Sequence, residues 1–366
     1  MKQTSLIAFM AILSFSTPIL SSAAQAPSFS LAWSEYPSWS TFGVAHEVGL
    51  VDGAKGKLGP IEERWKVDIV LQEADYDTCL TMYGSGQCDA VCITNMDVLN
   101  PSLRRPSVSI LPTSTSYGAD ALIVTKNITD ITDLKGKPVY GLAKTVSEYA
   151  FVRSLEIRGQ SEKDYVFTNM DPSAAALAMQ QRQPGYDAIV VWNPFVLSTL
   201  ELRPDARVLA DSTAIPGEII DMVVAAQKSL DAPGGDQFAC AVIDTFYAIN
   251  KRLADETTRD KTLIALGEKF SNLKLEAMRK VVQQTRFYAT PASAIELFTG
   301  KRVFPGDLGS QLAGETLQTI MVRVVEFCAT HDIVDRPPSI GYGSKDKEPK
   351  AALRFDPTYV QKVSQR

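Results

Sequence analysis

The chain has 366 residues, of which 45% are hydrophobic and 22% are charged. This composition excludes a disordered or collagen-like chain, and the length allows about two domains. The formal charge of −5 comes from 37 basic and 42 acidic residues, so charge gives no sign of nucleic-acid binding. Because the sequence contains only 2 histidines, metal sites or catalytic triads built on histidine are not expected.

Residues 1–24 are predicted to form a cleaved signal peptide. Lys2 precedes an apolar run, residues 6–20, which is followed by small residues. This order is typical of a secretory signal, with cleavage after Ala23 or Ala24. A membrane anchor is the alternative, but the run is shorter than the ~20 apolar residues that span a bilayer. We therefore expect an exported protein whose cysteines lie in an oxidising compartment.

The sequence contains five cysteines: Cys79, Cys88, Cys92, Cys240 and Cys328. An odd number leaves at least one thiol unpaired. A short-range disulfide between Cys79 and Cys88 remains open, whereas Cys92 lies in an apolar run and is expected to be a buried thiol. The spacing of Cys88 and Cys92, with no histidine nearby, does not predict a metal site.

Short apolar segments alternate with helical patterns in the first two thirds of the chain. Strands are predicted at residues 29–33, 67–71, 90–94, 118–125, 138–141, 166–169 and 188–192, and helices at 40–48, 76–82, 147–158 and 173–181. This alternation is typical of βαβ units in α/β layers.

The last third of the chain has a different pattern. Helical periodicity dominates at residues 238–254, 260–270, 273–284, 292–298 and 308–329. From Arg336 onward, the chain is rich in proline, glycine and charged residues, and an irregular or partly ordered surface strap is predicted.

Several segments, in a fixed order over about 200 residues, carry a resemblance to a known family. The most specific are GADALIV at 118–124 and ITDLKGKPV at 131–139; the others are LAWS at 31–34, PSW at 37–39, AHEVGL at 45–50, GQCDAV at 86–91, DAIVVWNPF at 187–195 and ARVLA at 206–210. Together they resemble the periplasmic solute-binding proteins of the nitrate/sulfonate/taurine type, which serve ABC importers.

The resemblance implies an α/β architecture, the two-lobed type II periplasmic-binding-protein fold, to which the helical pattern of the last third adds a helical C-terminal extension. Lobe I would comprise residues 25–117 and 222–335, lobe II residues 118–221, and the C-terminal strap residues 336–366. The implied function is capture of a small polar organic solute in the cleft between the lobes and its delivery to a membrane permease. A periplasmic monomer is expected, with no catalysis, no cofactor, no metal and no nucleic-acid partner.

Ligand-binding residues are expected at the carboxyl ends of the strands, where ligands bind in open α/β sheets. The residues at these places are Trp33, Glu35, Tyr36, Trp39, Glu73, Tyr76, Thr94, Asn95, Ser147, Glu148, Asp171, Trp192 and Glu218. Carboxylates with aromatic faces hold ammonium groups, whereas helix N-termini with hydroxyl side chains hold sulfonate or carboxylate oxygens. The solute is therefore expected to be zwitterionic, amine-bearing or a taurine-like sulfonate.

Two other functions remain open. Pyrimidine-synthesising enzymes of thiamine formation share the fold and resemble this chain around the first helix, where His46 lies. Those enzymes carry a cysteine cluster in the second lobe, whereas residues 118–221 contain no cysteine. An exported sensor or interaction protein is the second alternative, because the C-terminal helices exceed what the family implies.

Overall fold

The computed structural model describes residues 25–269 and 273–366, without the side chains of residues 309 and 310. The predicted signal peptide lies outside the described residues. Within the described part, no helix is long and apolar enough to cross a membrane. In the same residues, no group of three or more His, Cys, Asp or Glu side chains is arranged to hold a metal ion.

Helices and strands alternate through most of the chain. The strands are β1 Ser28–Trp33, β2 Asp68–Glu73, β3 Ala90–Thr94, β4 Ser107–Ser116, β5 Asp120–Thr125, β6 Pro138–Gly141, β7 Val166–Asn169, β8 Ala188–Trp192, β9 Ala206–Asp211, β10 Ile220–Ala226, β11 Thr285–Phe287, β12 Ile340–Tyr342 and β13 Leu353–Phe355. The helices are α1 Thr41–Glu47, α2 Pro60–Trp65, α3 Tyr76–Ser85, α4 Leu99–Ser102, α5 Val146–Ile157, α6 Pro172–Gln180, α7 Phe195–Leu202, α8 Gln227–Leu230, α9 Gly235–Ala254, α10 Arg259–Lys269, α11 Leu275–Gln284, α12 Pro291–Phe298, α13 Leu317–Thr330 and α14 Thr358–Ser364.

The strands form two sheets. The first has the order β12-β13-β4-β10-β3-β1-β2, with β11 also paired to β4, and the second has the order β7-β6-β8-β5-β9. In the first sheet, β1 is parallel to β2 and β3, whereas β10 is antiparallel to β3 and β4. We name the part of the molecule built on the first sheet lobe I, and the part built on the second sheet lobe II.

Each lobe buries apolar side chains against its sheet. In lobe II, Leu122 and Val190 belong to one apolar cluster, while Ile123 and Ile189 belong to another. Neighbouring residues of a strand point to opposite faces, so these clusters cover the two faces of the sheet. A sheet covered on both faces explains the continuous apolar runs that predicted its strands.

The chain passes between the lobes twice. It leaves lobe I at the end of β4 and enters lobe II at the start of β5, and it returns between β9 and β10. Strands β4 and β10 pair with each other in the first sheet, so both connections begin and end side by side. This arrangement places a cleft between the two sheets, next to the connections.

The C-terminal region differs from the sequence prediction in two places. The strap is more regular than the sequence predicted, because β13 pairs in parallel with the edge of β4 and β12 pairs with β13. Both strands have only three residues, which is too short for a detectable periodicity. Helix α13 begins at Leu317, rather than at residue 308, because the Thr316 hydroxyl accepts a hydrogen bond from the Thr319 N–H and caps the helix.

All five cysteines are buried free thiols, and Cys79 and Cys88 are not joined by a disulfide. Burial raises the pKa of Cys79 and Cys328 to about 12 and that of Cys88 and Cys240 to about 11.

We therefore predict that a thiol reagent at pH ~8 labels less than about one cysteine per native chain, since the thiolate is the reactive form. All five should react after denaturation. Only three reactive thiols in the denatured, unreduced protein would instead indicate a disulfide.

Candidate functional site

A cavity of about 10 Å³ lies between the lobes. It is lined by Tyr36, Trp39, Tyr76, Thr94, Asp120, Val146, Trp192, Ile219 and Asp221. Residues from both sheets and from the connection between β9 and β10 contribute to this lining. The cavity has room for about one water molecule, far less than the ~300–1,000 Å³ of typical small-molecule pockets, so an organic molecule fits there only when the lobes move apart.

Strand pairing determines which polar residues face the cavity. Thr94, the last residue of β3, is the partner of Asp221 in β10. Trp192, the last residue of β8, is the partner of Asp120 in β5. Directly paired residues project to the same side of a sheet. Each sheet therefore presents one carboxylate together with one predicted ligand-binding residue at the cleft.

Aromatic rings form a continuous wall of the cavity. The ring centroids of Tyr36 and Trp39 are 4.8 Å apart, and those of Trp39 and Tyr76 are stacked at 5.4 Å. Trp192 meets Tyr76 edge-to-face at 5.7 Å. Since Trp192 belongs to lobe II and the other three rings belong to lobe I, this last contact crosses the cleft.

Two buried carboxyl groups line the cavity. Asp120 is 3% exposed and Asp221 is 2% exposed. The Oδ2 atom of Asp221 accepts a hydrogen bond of 2.5 Å from the Ser114 hydroxyl. Burial raises the pKa of Asp221 well above its ordinary value, and the charge of Asp120 raises it further. Burial also raises the pKa of Asp120, to about 6.

A third carboxyl group lies behind the aromatic wall. Asp97 Oδ2 accepts hydrogen bonds from the Tyr76 hydroxyl at 2.7 Å and from Thr94 Oγ1 at 2.8 Å. These bonds hold the two lining side chains in place. Burial raises the pKa of Asp97 to about 6, although the two hydrogen bonds favour its charged form.

Five of the predicted site residues line the cavity: Tyr36, Trp39, Tyr76, Thr94 and Trp192. Sequence reasoning missed Asp120, Val146, Ile219 and Asp221. Two of these four residues, Asp120 and Asp221, are acidic. The signal that marks both is an acidic residue at the start of a strand that is otherwise apolar.

Trp33 and Asn95 have other contacts. Trp33 packs over α1, where a Cβ atom added to Gly43 would lie 2.6 Å from the Trp33 ring. The Asn95 amide donates to the Glu218 carbonyl at 3.0 Å and accepts from the Ile220 N–H at 3.0 Å. Asn95 therefore fixes the returning connection instead of facing the cavity.

Ser147 and Glu148 lie in the first turn of α5, next to the lining residue Val146. Ser147 is 1% exposed, and its Oγ atom has no hydrogen-bond partner. Glu148 Oε2 accepts from the Lys144 N–H at 2.6 Å. Neither residue lines the cavity.

Three predicted acidic residues are close together outside the cavity. Burial raises the pKa of Glu35, and the negative charges of Glu73, Asp75 and Asp171 raise it further. Asp171 begins helix α6 in lobe II, whereas the other three belong to lobe I. We name these four residues the acidic rim; they give the outer side of the cleft a negative charge.

Glu218 joins the lobes, although it does not line the cavity itself. Its carboxylate accepts from Arg153 Nε at 2.9 Å, from Arg323 Nη1 at 2.9 Å and from the Tyr149 hydroxyl at 2.5 Å. Burial raises its pKa, but these partners outweigh burial, and the pKa of Glu218 is lowered. Arg153 lies in α5 of lobe II and Arg323 in the C-terminal helix α13, so Glu218 connects the two.

No family model matches the chain, and no curated protein matches it. Several solved structures are similar to it in fold. The periplasmic aliphatic sulphonate binding protein SsuA from Escherichia coli is 17% identical, with a TM-score of 0.63 over 85% of this chain and 94% of that chain.

Two further solved structures are similar. The alkanesulfonate-binding protein SsuA from Xanthomonas axonopodis pv. citri, bound to MOPS, is 16% identical, with a TM-score of 0.64 over 91% of this chain and 100% of that chain. The ligand binding component of an ABC-type import system from Staphylococcus aureus, with zinc bound, is 10% identical, with a TM-score of 0.62 over 93% of this chain and 100% of that chain. The coverage of 91% leaves too few residues for all of the C-terminal helices to lie outside the shared fold. The chain therefore has the α/β, two-lobed type II fold of periplasmic solute-binding proteins, as its sequence predicted.

Proposed function

We propose that this chain is the solute-binding component of an ABC importer, which captures a small polar organic solute between its lobes and delivers it to a membrane permease. The observation that carries this proposal is the cavity whose lining comes from both lobes. A solute held there contacts both lobes at once, and its binding energy favours the closed arrangement. The similarity in fold to sulfonate-binding proteins and to a component of an ABC-type import system supports the same role.

The two connections between the sheets supply the hinge in this proposal. Residues 117–119 and 212–219 lie between the strands of the two sheets, and they absorb the backbone rotation of a domain closure. The proposed division takes residues 118–221 as lobe II and residues 25–117 with 222–335 as lobe I. The permease would then recognise surfaces that come together only in the closed form.

The proposal also includes a periplasmic location after removal of residues 1–24, a monomeric state and no catalytic activity. The solute classes expected from the sequence are zwitterions, amines and taurine-like sulfonates. The lining residues offer aromatic faces, carboxylates and a hydroxyl, which suit binding of a polar organic molecule.

A thermal-shift screen with amines, taurine-like sulfonates, nitrate and pyrimidines tests the proposal. A solute that binds only the folded protein adds about 2.7 kcal/mol of stability at 100 times its Kd. We therefore expect at least one class to raise the melting temperature by several degrees, in a concentration-dependent manner.

Two tryptophan variants provide the control for this screen. Trp192→Ala removes the ring that crosses the cleft, whereas Trp65→Ala removes a ring on α2, whose Nε1 atom is bonded to Asp244. The shift should disappear in the first variant and persist in the second. Cells that lack the gene should also lose uptake of the solute. Turnover of a hit, or an equal shift in both variants, contradicts the proposal.

A further inference from the structure

We infer that the cavity selects its solute by positive charge: it receives the ammonium group of a small organic cation, with Asp120 and Asp221 as counter-ions and the rings of Trp39, Tyr76 and Trp192 around it. This inference rests on the proposed function and narrows the solute from any polar organic molecule to an ammonium compound. It is carried by three features of the cavity: its rings, its two buried carboxyl groups and, among the described residues that line it, the absence of Lys and Arg.

The rings provide faces for a cation. Trp39 and Tyr76 are nearly parallel, with an interplanar angle of 17°, and Trp192 stands at 76° to Tyr76. Aromatic rings in two orientations therefore border the same small space. The electron-rich face of a tryptophan or tyrosine ring attracts an ammonium group within about 6 Å, and the attraction grows when water is excluded. All three residues are at least nine-tenths buried, so water is largely excluded here.

The carboxyl groups lack a counter-charge. Of the described residues that line the cavity, none is Lys or Arg. The groups that favour the charged form of Asp221 are neutral hydroxyls: Ser114 donates a hydrogen bond to it, and the Tyr36 hydroxyl also interacts with it. Glu218 shows the contrast, since the same chain neutralises that buried carboxylate with Arg153 and Arg323. A buried charge without a partner is costly, and a bound cation supplies the partner that Asp120 and Asp221 lack.

The same cavity offers fewer favourable contacts to an anionic head group than to a cation. Binding of a sulfonate requires basic side chains or free N–H groups. The N–H group of Val146, at the start of α5, already interacts with the Asp97 carboxyl group. Outside, the acidic rim repels anions and attracts cations.

One free donor suggests a second group on the solute. Trp39 is 3% exposed, and its Nε1 atom has no hydrogen-bond partner. An N–H group without a partner in a buried place favours a ligand that supplies an acceptor. A hydroxyl or carboxylate oxygen on the same solute would meet this need, so an amino alcohol or a betaine-like compound fits better than a bare amine.

Matched probes test the inference by calorimetry with the mature protein at pH ~7.5. Choline is compared with its neutral isostere 3,3-dimethylbutan-1-ol, ethanolamine with ethylene glycol, and taurine with the anion isethionate. We expect at least one ammonium compound to bind about tenfold or more tightly than its match, since cation–π and counter-ion contacts are both desolvated. The choline and ethanolamine pairs also separate quaternary from protonated ammonium groups.

Variants locate the effect in the cavity. Asp120→Asn and Asp221→Asn should each weaken binding of the preferred ammonium compound about tenfold or more, without weakening binding of its neutral match. Trp192→Leu keeps an apolar side chain but removes the ring, and it should reduce the same preference. Asp236→Asn changes a surface carboxylate paired with Lys362 and serves as the matched control. Melting curves show whether each variant is folded.

The outcomes separate this inference from the proposed function. If solutes bind but no ammonium compound binds more tightly than its match, the inference is overturned and the solute-binding function stands. The inference also fails if folded Asp120→Asn and Asp221→Asn keep full affinity for the ammonium compound. If no probe and no compound of the wider screen binds, the inference and the proposed function fall together.

Discussion

Glu218→Ala is expected to lower the free energy of unfolding by about 2–3 kcal/mol. The side chain of Glu218 is 8% exposed and binds two arginines and a tyrosine hydroxyl. Removing one partner of a buried ion pair costs about 3–5 kcal/mol, because the other charge stays buried. Here the side chains of Arg153 and Arg323 are 19% and 33% exposed, so water reaches them and reduces the cost. Urea denaturation followed by circular dichroism measures the change.

Glu156→Ala is the matched control for this variant. Glu156 also pairs with Arg153, at 2.5 Å, but its side chain is 51% exposed. An exposed pair of this kind contributes about 0–1 kcal/mol. A loss for Glu218→Ala no greater than that for Glu156→Ala would contradict the view that Glu218 connects lobe II to α13.

Asp120→Asn is expected to stabilise the solute-free protein by about 2–3 kcal/mol at pH ~7.5 and to leave it nearly unchanged at pH ~4. The pKa of Asp120 is raised from 3.8 to about 6 in the folded protein. Between these values the folded state binds more protons than the unfolded state, so stability falls as the pH rises through this window. Asparagine does not ionise, so the variant avoids this loss of stability. Urea denaturation at both pH values measures the difference.

Asp231→Asn is expected to change the free energy of unfolding in the opposite direction, that is, to lower it. The hydrogen bond from Lys345 lowers the pKa of Asp231 below its ordinary value. That carboxylate is therefore stabilising above its ordinary pKa, and the asparagine variant should be the less stable one at neutral pH. Asp120→Asn behaving like Asp231→Asn at pH ~7.5 would show that Asp120 already has a counter-charge in the solute-free protein. If Asp120→Asn stabilises the protein and also weakens solute binding, then Asp120 serves binding at a cost to stability.

The strands of lobe II show what the sequence determines locally. The bounds of β6, β7 and β8 agree with the prediction, because each is a short segment that contains β-branched and aromatic residues. Strand β4 was not predicted. Its sequence, SVSILPTSTS, has no apolar periodicity, yet all of its residues are buried. They are buried because β10, β11 and β13 all pair with β4, which is information from distant parts of the chain.

The residues of the site also fall into two groups, those that local sequence predicts and those that depend on strand pairing. Thr94 and Trp192 were predicted because they end strands, and strand ends can be located from local sequence. Asp120 and Asp221 face the cavity because they pair with those two residues across the sheets, and such pairing is not local. Asn95 also follows a strand end, but the returning connection occupies its amide. Local sequence identifies candidates, and long-range pairing decides which of them face the cleft.

A crystal structure of the protein with the strongest hit of the screen shows where the solute binds. We expect one solute between the lobes, in contact with Tyr76 and Asp221 from lobe I and with Trp192 and Asp120 from lobe II. A solute bound elsewhere, for example in the apolar groove of Met321, Val325 and Ile340 beside α13, would contradict this expectation.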